Sequence, residues 1–302
     1  MSLKAENITK TYGNQKALDA VSFTIKTGEI VGFLGPNGAG KSTMMKIISG
    51  FISQNSGDIF VNNLNTKTNI KEIKQQIGYL PEHNPLYLDM FVKEYLNFVA
   101  KLYSAENYKL RVSEIIKQTG LTSEQNKKIG ALSKGYRQRT GLAAALIHNP
   151  EVLILDEPTS GLDPNQIIEI RKLIKDVGKE KTVMLSTHIM QEVEAVCDRV
   201  IIINKGQIIA DKPVAEISKL TRTKKQSVLT EFAEDINEDL FEQLSETISF
   251  RKVTSKSFIF ESDTDEDIRP EIFHFAVNQN LTILTLQQKE QNLEDIFRML
   301  TQ

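Results

Sequence analysis

Cysteine and long apolar runs are both scarce in this chain. The single cysteine, Cys197, cannot form an internal disulfide, and no neighbouring Cys or His completes a zinc site. No stretch approaches the ~18 consecutive apolar residues that a membrane-spanning helix needs. The first residues, MSLKAENITK, lack the apolar core and cleavage site of a secretory signal. We therefore expect a cytoplasmic chain that does not itself cross a bilayer.

The charge of the chain is unevenly distributed. Residues 221–302 hold 9 Lys and Arg against 16 Asp and Glu, a net of −7, whereas residues 1–220 hold 28 against 23, a net of +5. This asymmetry favours two domains, 1–220 and 221–302. The basic residues of the first part form no clustered stripe with interleaved aromatics, so we expect no binding of DNA or RNA.

The first part has the apolar pattern of a parallel α/β core. Val21 to Ile25 alternates, a turn follows at Gly28, and Ile30 to Leu34 is continuously apolar, which predicts a hairpin that leads into a buried strand. Two more apolar runs, Val152 to Leu155 and Val183 to Leu185, are typical of strands covered by helices on both faces.

Between Gln76 and Gly141 the pattern is helical, which predicts a helical insert over about residues 83–145. An apolar stripe behind a predicted cap at Asp89 is expected to pack within the fold rather than to bind a partner. The stripe consists of Phe91, Tyr95, Phe98, Val99, Leu102 and Tyr103.

After residue 220 the predicted order is β-α-β-β-α-β, which is the order of a small α+β, ferredoxin-like module. The predicted strands are Ser227 to Phe232, Ile248 to Val253, Phe258 to Glu261 and Leu281 to Leu286, and the predicted helices are Asn237 to Thr247 and Asp267 to Asn278.

A glycine-rich segment, GPNGAGKST, follows the Ile30 to Leu34 strand and matches the pattern G-x-x-x-x-G-K-[ST]. Backbone N–H groups of such a turn point at phosphate oxygens, and the following helix N-terminus adds its positive dipole end. We expect Lys41 to pair with the β- and γ-phosphates and Ser42 to bind Mg²⁺. The predicted nucleotide-binding residues here are Gly35, Pro36, Asn37, Gly38, Ala39, Gly40, Lys41, Ser42 and Thr43.

Two adjacent carboxylates end the Val152 to Leu155 strand, at the edge where α/β proteins collect ligands. Asp156 is the expected Mg²⁺ partner, and Glu157 is the candidate catalytic base that orients or deprotonates the attacking water. His188 follows the third apolar strand. A lone histidine is more often a bystander, but this position makes it a candidate partner of the γ-phosphate and the water.

Further segments resemble those of the ABC ATPases, in the same order, over about residues 3–215. LSKGYRQR at Leu132 to Arg139 is similar to the family signature, SGLD at Ser160 to Asp163 to the D-loop, and GYLPE at Gly78 to Glu82 to the Q-loop. The resemblance implies a P-loop NTPase core with an antiparallel β subdomain. It also implies that His188 is the switch histidine, that Tyr12 stacks on adenine and that Glu82 contacts the nucleotide and its metal.

The resemblance implies further an ATP-hydrolysing homodimer. Two ATP molecules would be held at its interface, each between the phosphate loop of one copy and Ser133 and Gly135 of the other. Integral membrane permease subunits would respond through the helical insert and the Q-loop, which places the chain at the inner face of the cell membrane. The segment Asn292 to Thr301 resembles the tail of exporter ATPases of the gliding-motility and drug or sodium types, which implies export.

Three residues depart from the family pattern: Lys134 and Tyr136 stand where Gly and Gln are usual, and Glu82 stands where Gln is usual.

The sequence leaves two alternative functions open. One is an ABC-type protein that acts on ribosomes or DNA, against which stand the single phosphate loop and the lack of a sustained heptad run. The other is a nucleotide-dependent regulatory protein that does not hydrolyse ATP.

Overall fold

A computed structural model describes residues 2–220, 226–244, 247–264 and 266–289. The backbone divides into two compact units, the first ending at Val214 and the second beginning at Ala215. Strands β1 to β14 are Leu3–Tyr12, Gln15–Ile25, Ile30–Leu34, Ser56–Val61, Leu64–Asn65, Ile77–Leu80, Val152–Asp156, Thr182–Thr187, Arg199–Asn204, Gln207–Pro213, Gln226–Phe232, Ile248–Lys252, Ser257–Ser262 and Ile283–Lys289. Helices α1 to α9 are Lys41–Ile48, Ile70–Gln76, Val92–Leu102, Tyr108–Gln118, Lys134–Leu146, Pro164–Gly178, Met190–Val196, Val214–Leu220 and Arg269–Asn278, and the two 3-10 helices are Ile129–Ala131 and Glu238–Gln243.

The centre of the first unit is a six-stranded sheet in the order β10-β9-β3-β8-β7-β6. Every pair in it is parallel except β9 with β10. All residues of β3, β7 and β8 are buried, as their continuously apolar sequences predict for strands covered on both faces. Because parallel strands end at one edge, the segments after β3, β7 and β8 converge there.

The predicted hairpin before the phosphate loop is wrong, because β2 and β3 belong to different sheets. Strand β2 pairs with β1 in a four-stranded sheet of order β2-β1-β4-β5, whose pairs are antiparallel. The continuously apolar β3 lies instead between β8 and β9 in the six-stranded sheet, where all of its residues are buried. The two sheets nevertheless share one apolar core, in which the rings of Phe23 and Phe33 lie 5.7 Å apart.

The region from Gln76 to Gly141 is not entirely helical, since Ile77–Leu80 forms the edge strand β6 of the central sheet. Strand β6 pairs with β7 in a parallel register, so the chain returns to the core before the helices begin. Helix α3 begins after Phe91 rather than at the predicted cap, Asp89. The backbone N–H of Phe91 donates instead to the carboxylate of Glu94 at 3.2 Å.

The apolar stripe of α3 is largely exposed, so the expectation that it packs within the fold is wrong. Of its six residues only Val99 is buried, whereas four others are between 38% and 67% exposed. The helix packs instead through Val92, Leu96, Val99 and Ala100. Packing uses an adjacent face of the helix, which leaves an aromatic surface open; its exposed members are Phe91, Phe98, Leu102 and Tyr103.

The second unit has the predicted ferredoxin-like topology. Its sheet has the order β12-β13-β11-β14 with antiparallel pairs, and α9 packs on it through Ile272, Phe275 and Ala276. The predicted helix from Asn237 to Thr247 is instead a 3-10 helix, Glu238–Gln243. A 3-10 turn places residues three apart on one side, which turns both Phe241 and Leu244 into the core. The segment Asn292 to Thr301 lies outside the described residues.

The ring of His148 connects the helical insert to the central sheet. It stacks on Tyr103 with a centroid separation of 3.9 Å, and its Nε2 donates to the carbonyl of Ile77 at 3.0 Å. Nδ1 is buried without a partner, so the ring is held in its neutral form. Burial lowers the pKa of His148 from 6.5 to about 4.

We expect the free energy of unfolding to fall as the pH drops from about 6.5 to about 4. In this range the unfolded chain binds a proton at His148 that the folded chain does not, because the folded pKa is the lower one. The contribution is about 2 kcal/mol at the acid end, after allowance for partial exposure. Urea titrations across this range should show a shallower pH dependence in His148→Phe, and equal slopes in both proteins would contradict the assignment.

Candidate nucleotide site at the sheet edge

The loop between β3 and α1 forms a turn that only glycine-rich sequence permits. Gly38 and Gly40 have φ values of 81° and 109°, in the left-handed region. The N–H of Gly35 donates to the carbonyl of Thr187, which ties the start of the loop to the end of β8. A Cβ on Gly40 would collide with the carbonyl of Ala17. The loop is therefore a tight backbone cradle at the N-terminus of α1, suited to phosphate oxygens.

Lys41 points back into this loop and is buried, with 6% of its surface exposed. Its ammonium donates to the carbonyl of Gly35 at 2.7 Å and to that of Pro36 at 3.2 Å. It also lies 3.5 Å from a carboxylate oxygen of Glu157. The positive charge is thus fixed at the centre of the site, within reach of an incoming phosphate.

Asp156 ends β7 and accepts two hydroxyl hydrogen bonds on one oxygen. Ser186 donates to it at 2.5 Å and Ser42 at 3.0 Å. Hydroxyl and carboxylate oxygens are the ligands that Mg²⁺ prefers, and this ion commonly takes one or two protein ligands together with phosphate oxygens and water. Ser42 and Asp156 therefore fit a Mg²⁺ site. Among the described residues, no cluster of three or more His, Cys, Asp or Glu side chains suits a metal held by protein alone.

Glu157 adopts a left-handed backbone conformation, with φ at 49°, directly after β7. Its N–H donates to the Ser186 carbonyl at 3.2 Å and is 3.0 Å from the Ser186 hydroxyl. Its carboxylate is buried and lies 2.9 Å from Nδ1 of His188. The positive φ, which is uncommon for a residue with a side chain, turns the carboxylate toward Lys41 and His188.

These groups surround a pocket of about 420 Å³. The structure brings together at its wall nine of the predicted residues, namely Asn37, Gly38, Gly40, Lys41, Ser42, Thr43, Glu82, Glu157 and His188. Two lining residues were not predicted as site residues. Ser160 belongs to the D-loop motif, so the sequence could have indicated it as a site residue. Ala17 lies in β2, and no sequence pattern there indicates a site.

Other predicted residues lie beside the pocket or away from it. Gly35, Pro36, Ala39 and Asp156 belong to the loop and strand end behind its wall, and do not line it. Tyr12, at the end of β1, is also absent from the lining. The residue is 53% exposed, and the ammonium of Lys10 lies over its ring at 5.3 Å from the centroid.

The signature segment begins α5 and does not line the pocket of its own chain. Ser133 caps the helix by accepting from the N–H of Tyr136 at 3.4 Å. Gly135 is buried against Gln166, so a side chain there would collide. Ser133 and Lys134 are exposed. The positive dipole end at the N-terminus of α5 is thus exposed and lies outside the lining of the pocket.

Known proteins similar to this chain were found by sequence and by structure. The family model described as ABC transporter matches residues 18–160. The linearmycin resistance ATP-binding protein LnrL of Bacillus subtilis is 35% identical over 308 residues, covering 99% of this chain and 98% of that protein. The bacitracin transport ATP-binding protein BcrA of Bacillus licheniformis is 40% identical over 222 residues, covering 73% of this chain and 72% of that protein.

Among solved structures, the fold is similar to a dimeric ATP-binding cassette, MJ0796, in a post-hydrolysis state bound to ADP and Pi. The TM-score is 0.65 at 29% identity, and the match covers 70% of this chain and 98% of that chain. A second similar structure, described as the ATP-binding subunit of an ABC transporter, has a TM-score of 0.66 at 29% identity and covers 73% of this chain and 93% of its own.

We expect Gly40→Ala to destabilise the chain more than Gly38→Ala does. Both residues have positive φ, which costs an alanine about 1 kcal/mol. A Cβ at Gly40 also displaces the Ala17 carbonyl, which adds about 1–3 kcal/mol, whereas a Cβ at Gly38 meets no atom within 4 Å. Urea denaturation of both variants measures the difference, and equal destabilisation would contradict the predicted collision.

Proposed function

The chain belongs to the ABC transporter ATP-binding proteins, and we propose that it is the Mg²⁺-dependent ATPase subunit that energises export by membrane permease partners. The observation that carries this proposal is the placement of Glu157, whose buried carboxylate lies between the ammonium of Lys41 and the imidazole of His188. A buried carboxylate held beside a cation and an imidazole supports the role of a base that acts on water beside a γ-phosphate.

The phosphate loop binds the triphosphate. Its backbone N–H groups, including those at the N-terminus of α1, donate hydrogen bonds to the β- and γ-phosphate oxygens, and the Lys41 ammonium neutralises part of their charge. Ser42 and Asp156 are the residues that would hold Mg²⁺, which when bound offsets charge on the β- and γ-phosphate oxygens. Glu82 also lines the pocket and would supply a further carboxylate oxygen there.

Glu157 then acts on water. Its carboxylate accepts a proton from the water as the oxygen bonds to the γ-phosphorus, the bond to the bridging oxygen breaks, and ADP and phosphate are released. His188 holds the Glu157 carboxylate through Nδ1, which leaves Nε2 on the far side of the ring for the phosphate or the water. Tyr12, exposed at the end of β1, offers its face to adenine.

A second copy of the chain completes the site. Ser133 and Gly135 do not reach the pocket of their own chain, and the N-terminus of α5 is open. An anion bound there would come from another molecule, because helix N-termini attract negative charge. The dimeric state of the similar cassette supports a head-to-tail homodimer with two ATP molecules between the copies.

The exposed aromatic surface of α3 supports docking to a membrane permease. Beside it lies a groove of about 390 Å³, lined by aromatic residues of α3 and its C-terminal end, of the edge strand β6 and of the segment after α1. Its aromatic members are Phe51, Tyr79, Tyr95 and Tyr103. An apolar groove of this kind suits an amphipathic helix. Pro81 lines this groove, and the next residue, Glu82, lines the nucleotide pocket. A helix docked in the groove would therefore lie next to that pocket.

Export is the direction that the relatives favour, since the names of LnrL and BcrA refer to linearmycin resistance and bacitracin transport. The cargo would be selected by the permease, and the chain would lie at the cytoplasmic face of the membrane through that partner. Among the described residues, no helix has both the length and the apolar character to span a membrane. We propose residues 1–220 as the ATPase domain and 221–302 as an accessory domain.

We expect Glu157→Gln to bind MgATP but to release no phosphate. The amide keeps the shape of the carboxylate and loses its basicity, so the reaction stops before hydrolysis and the ATP-bound dimer accumulates. Phosphate release assays and size-exclusion chromatography with MgATP measure the two effects. Wild-type protein that binds ATP yet releases no phosphate, even with its permease, would favour a regulatory protein instead.

We expect Lys134→Gly to weaken ATP-driven dimerisation several-fold. Lys134 is exposed at the N-terminus of α5, and its ammonium lies against the turn at Gly161 in the D-loop, where it adds positive charge to the face that would meet a second copy's ATP. Sedimentation of the Glu157→Gln protein with and without this change tests the effect. Lys127→Gly, which removes an exposed lysine outside that face, is the control, and unchanged dimerisation in Lys134→Gly would contradict the role.

A further inference from the structure

Glu192 is a buried carboxylate that the hydrolytic steps above do not use. It lies in the first turn of α7, and only 3% of its surface is exposed. Thr187 donates a hydrogen bond from Oγ1 to Oε2 at 2.8 Å, and Thr159 donates one from Oγ1 to Oε1. Both threonines are buried as well. An ionised carboxylate only accepts hydrogen bonds, so it can hold both hydroxyl donors at once.

The two threonines lie beside the catalytic pair, one in the turn after β7 and one at the end of β8, where the next turn begins. Thr159 is two residues after the catalytic glutamate, and Thr187 directly precedes the catalytic histidine. The hydroxyl of Thr187 also accepts from the N–H of Ile189 at 3.0 Å, and its carbonyl accepts from the N–H of Gly35 at 3.3 Å. With one hydrogen bond accepted from a backbone N–H, this hydroxyl is oriented to donate to Glu192.

The other arm of the network leads into the D-loop. The carbonyl of Thr159 accepts from the N–H of Leu162 at 3.2 Å, and the next residue, Ser160, lines the nucleotide pocket. A continuous path of hydrogen bonds therefore runs from the phosphate loop through Thr187, Glu192 and Thr159 to the D-loop. Its central atoms are excluded from water, which strengthens each of these bonds and makes an unpaired group costly.

We propose that Glu192 is a positioning residue for ATP hydrolysis, because its carboxylate joins the turn after β7 to the turn after β8 and so fixes Glu157 relative to His188. The inference rests on the proposed ATPase function. None of the three joined residues lines the pocket, so their effect falls on the geometry of the reaction rather than on the affinity for ATP. Small displacements of reacting groups lower a rate steeply while leaving binding little changed.

The test compares Glu192→Gln with Glu194→Gln in the full chain. Glutamine keeps the volume of Glu192 but offers one acceptor oxygen and an NH₂ donor, so one of the two threonine hydroxyls must turn away. Glu194, two residues further along the same helix, is exposed and provides a matched control. We expect kcat to fall about 10- to 100-fold in Glu192→Gln, with the Kd for MgATP unchanged. The Tm should fall by about 2–4 °C, because one buried hydroxyl loses its partner, and Glu194→Gln should have no effect.

Thr159 provides a second, independent pair of variants. Thr159→Val removes the hydroxyl at nearly constant volume, and we expect it to reproduce the loss of kcat. Thr159→Ser keeps the hydroxyl and should retain wild-type kcat. Amide hydrogen exchange supplies a readout that does not depend on turnover: exchange should rise at residues 159–163 and 187–190 in Glu192→Gln, and not elsewhere in the first unit.

The outcomes separate this inference from the proposed function. If wild-type protein hydrolyses ATP and Glu192→Gln has the same kcat, the positioning role is overturned. A loss of ATP affinity that matches the loss of kcat in Glu192→Gln and Thr159→Val would also overturn it, since the bonds would then only stabilise the fold. If wild-type protein hydrolyses no ATP, the proposed function fails, and unchanged exchange at the two turns would show that Glu192 does not join them.

Discussion

The site depends on one constraint, which is that three strands buried on both faces end at the same edge of one sheet. Strands β3, β7 and β8 are adjacent or separated by one strand, and each is followed by a segment of the site: the glycine-rich loop after β3, Glu157 after β7 and His188 after β8. A strand that is covered on both faces has no polar surface of its own, so the chain can place charged groups only where the strand ends. The phosphate loop, the carboxylate pair and the histidine are therefore neighbours by topology.

Burial of opposite charges holds these groups ready for a ligand. Lys41 and Glu157 are each about 6% exposed and lie 3.5 Å apart, an arrangement whose desolvation cost can exceed its Coulombic gain. Such a pair is weak evidence for stability. It is better explained by chemistry, because a triphosphate and a water molecule need a fixed cation and a fixed base on the same wall. The left-handed backbone at Glu157 is consistent with strain stored at a functional site.

The first unit carries two further surfaces suited to other molecules. The N-terminus of α5 presents positive dipole charge outside the lining of its own pocket, and α3 exposes an aromatic surface beside a groove lined by Pro81, the residue before Glu82. The edge strand β6 lies between these two surfaces and the pocket. It pairs with β7, it packs against α5, and the chain that follows it leads to Glu82. Movement of a molecule docked on α3 would therefore reach the nucleotide pocket through a short segment of backbone.

The sequence by itself determined the chemistry, and the tertiary structure decided which faces and partners that chemistry uses. The glycine-rich loop, the Asp156 and Glu157 pair and the strands before them were predictable, because their spacing and apolar runs are local properties of the chain. The separation of β2 from β3, the exposure of the α3 aromatic stripe and the link from Glu192 to Thr159 were not. Local periodicity shows that a segment has an apolar face, but only the packing of distant segments decides what covers that face and which buried groups meet.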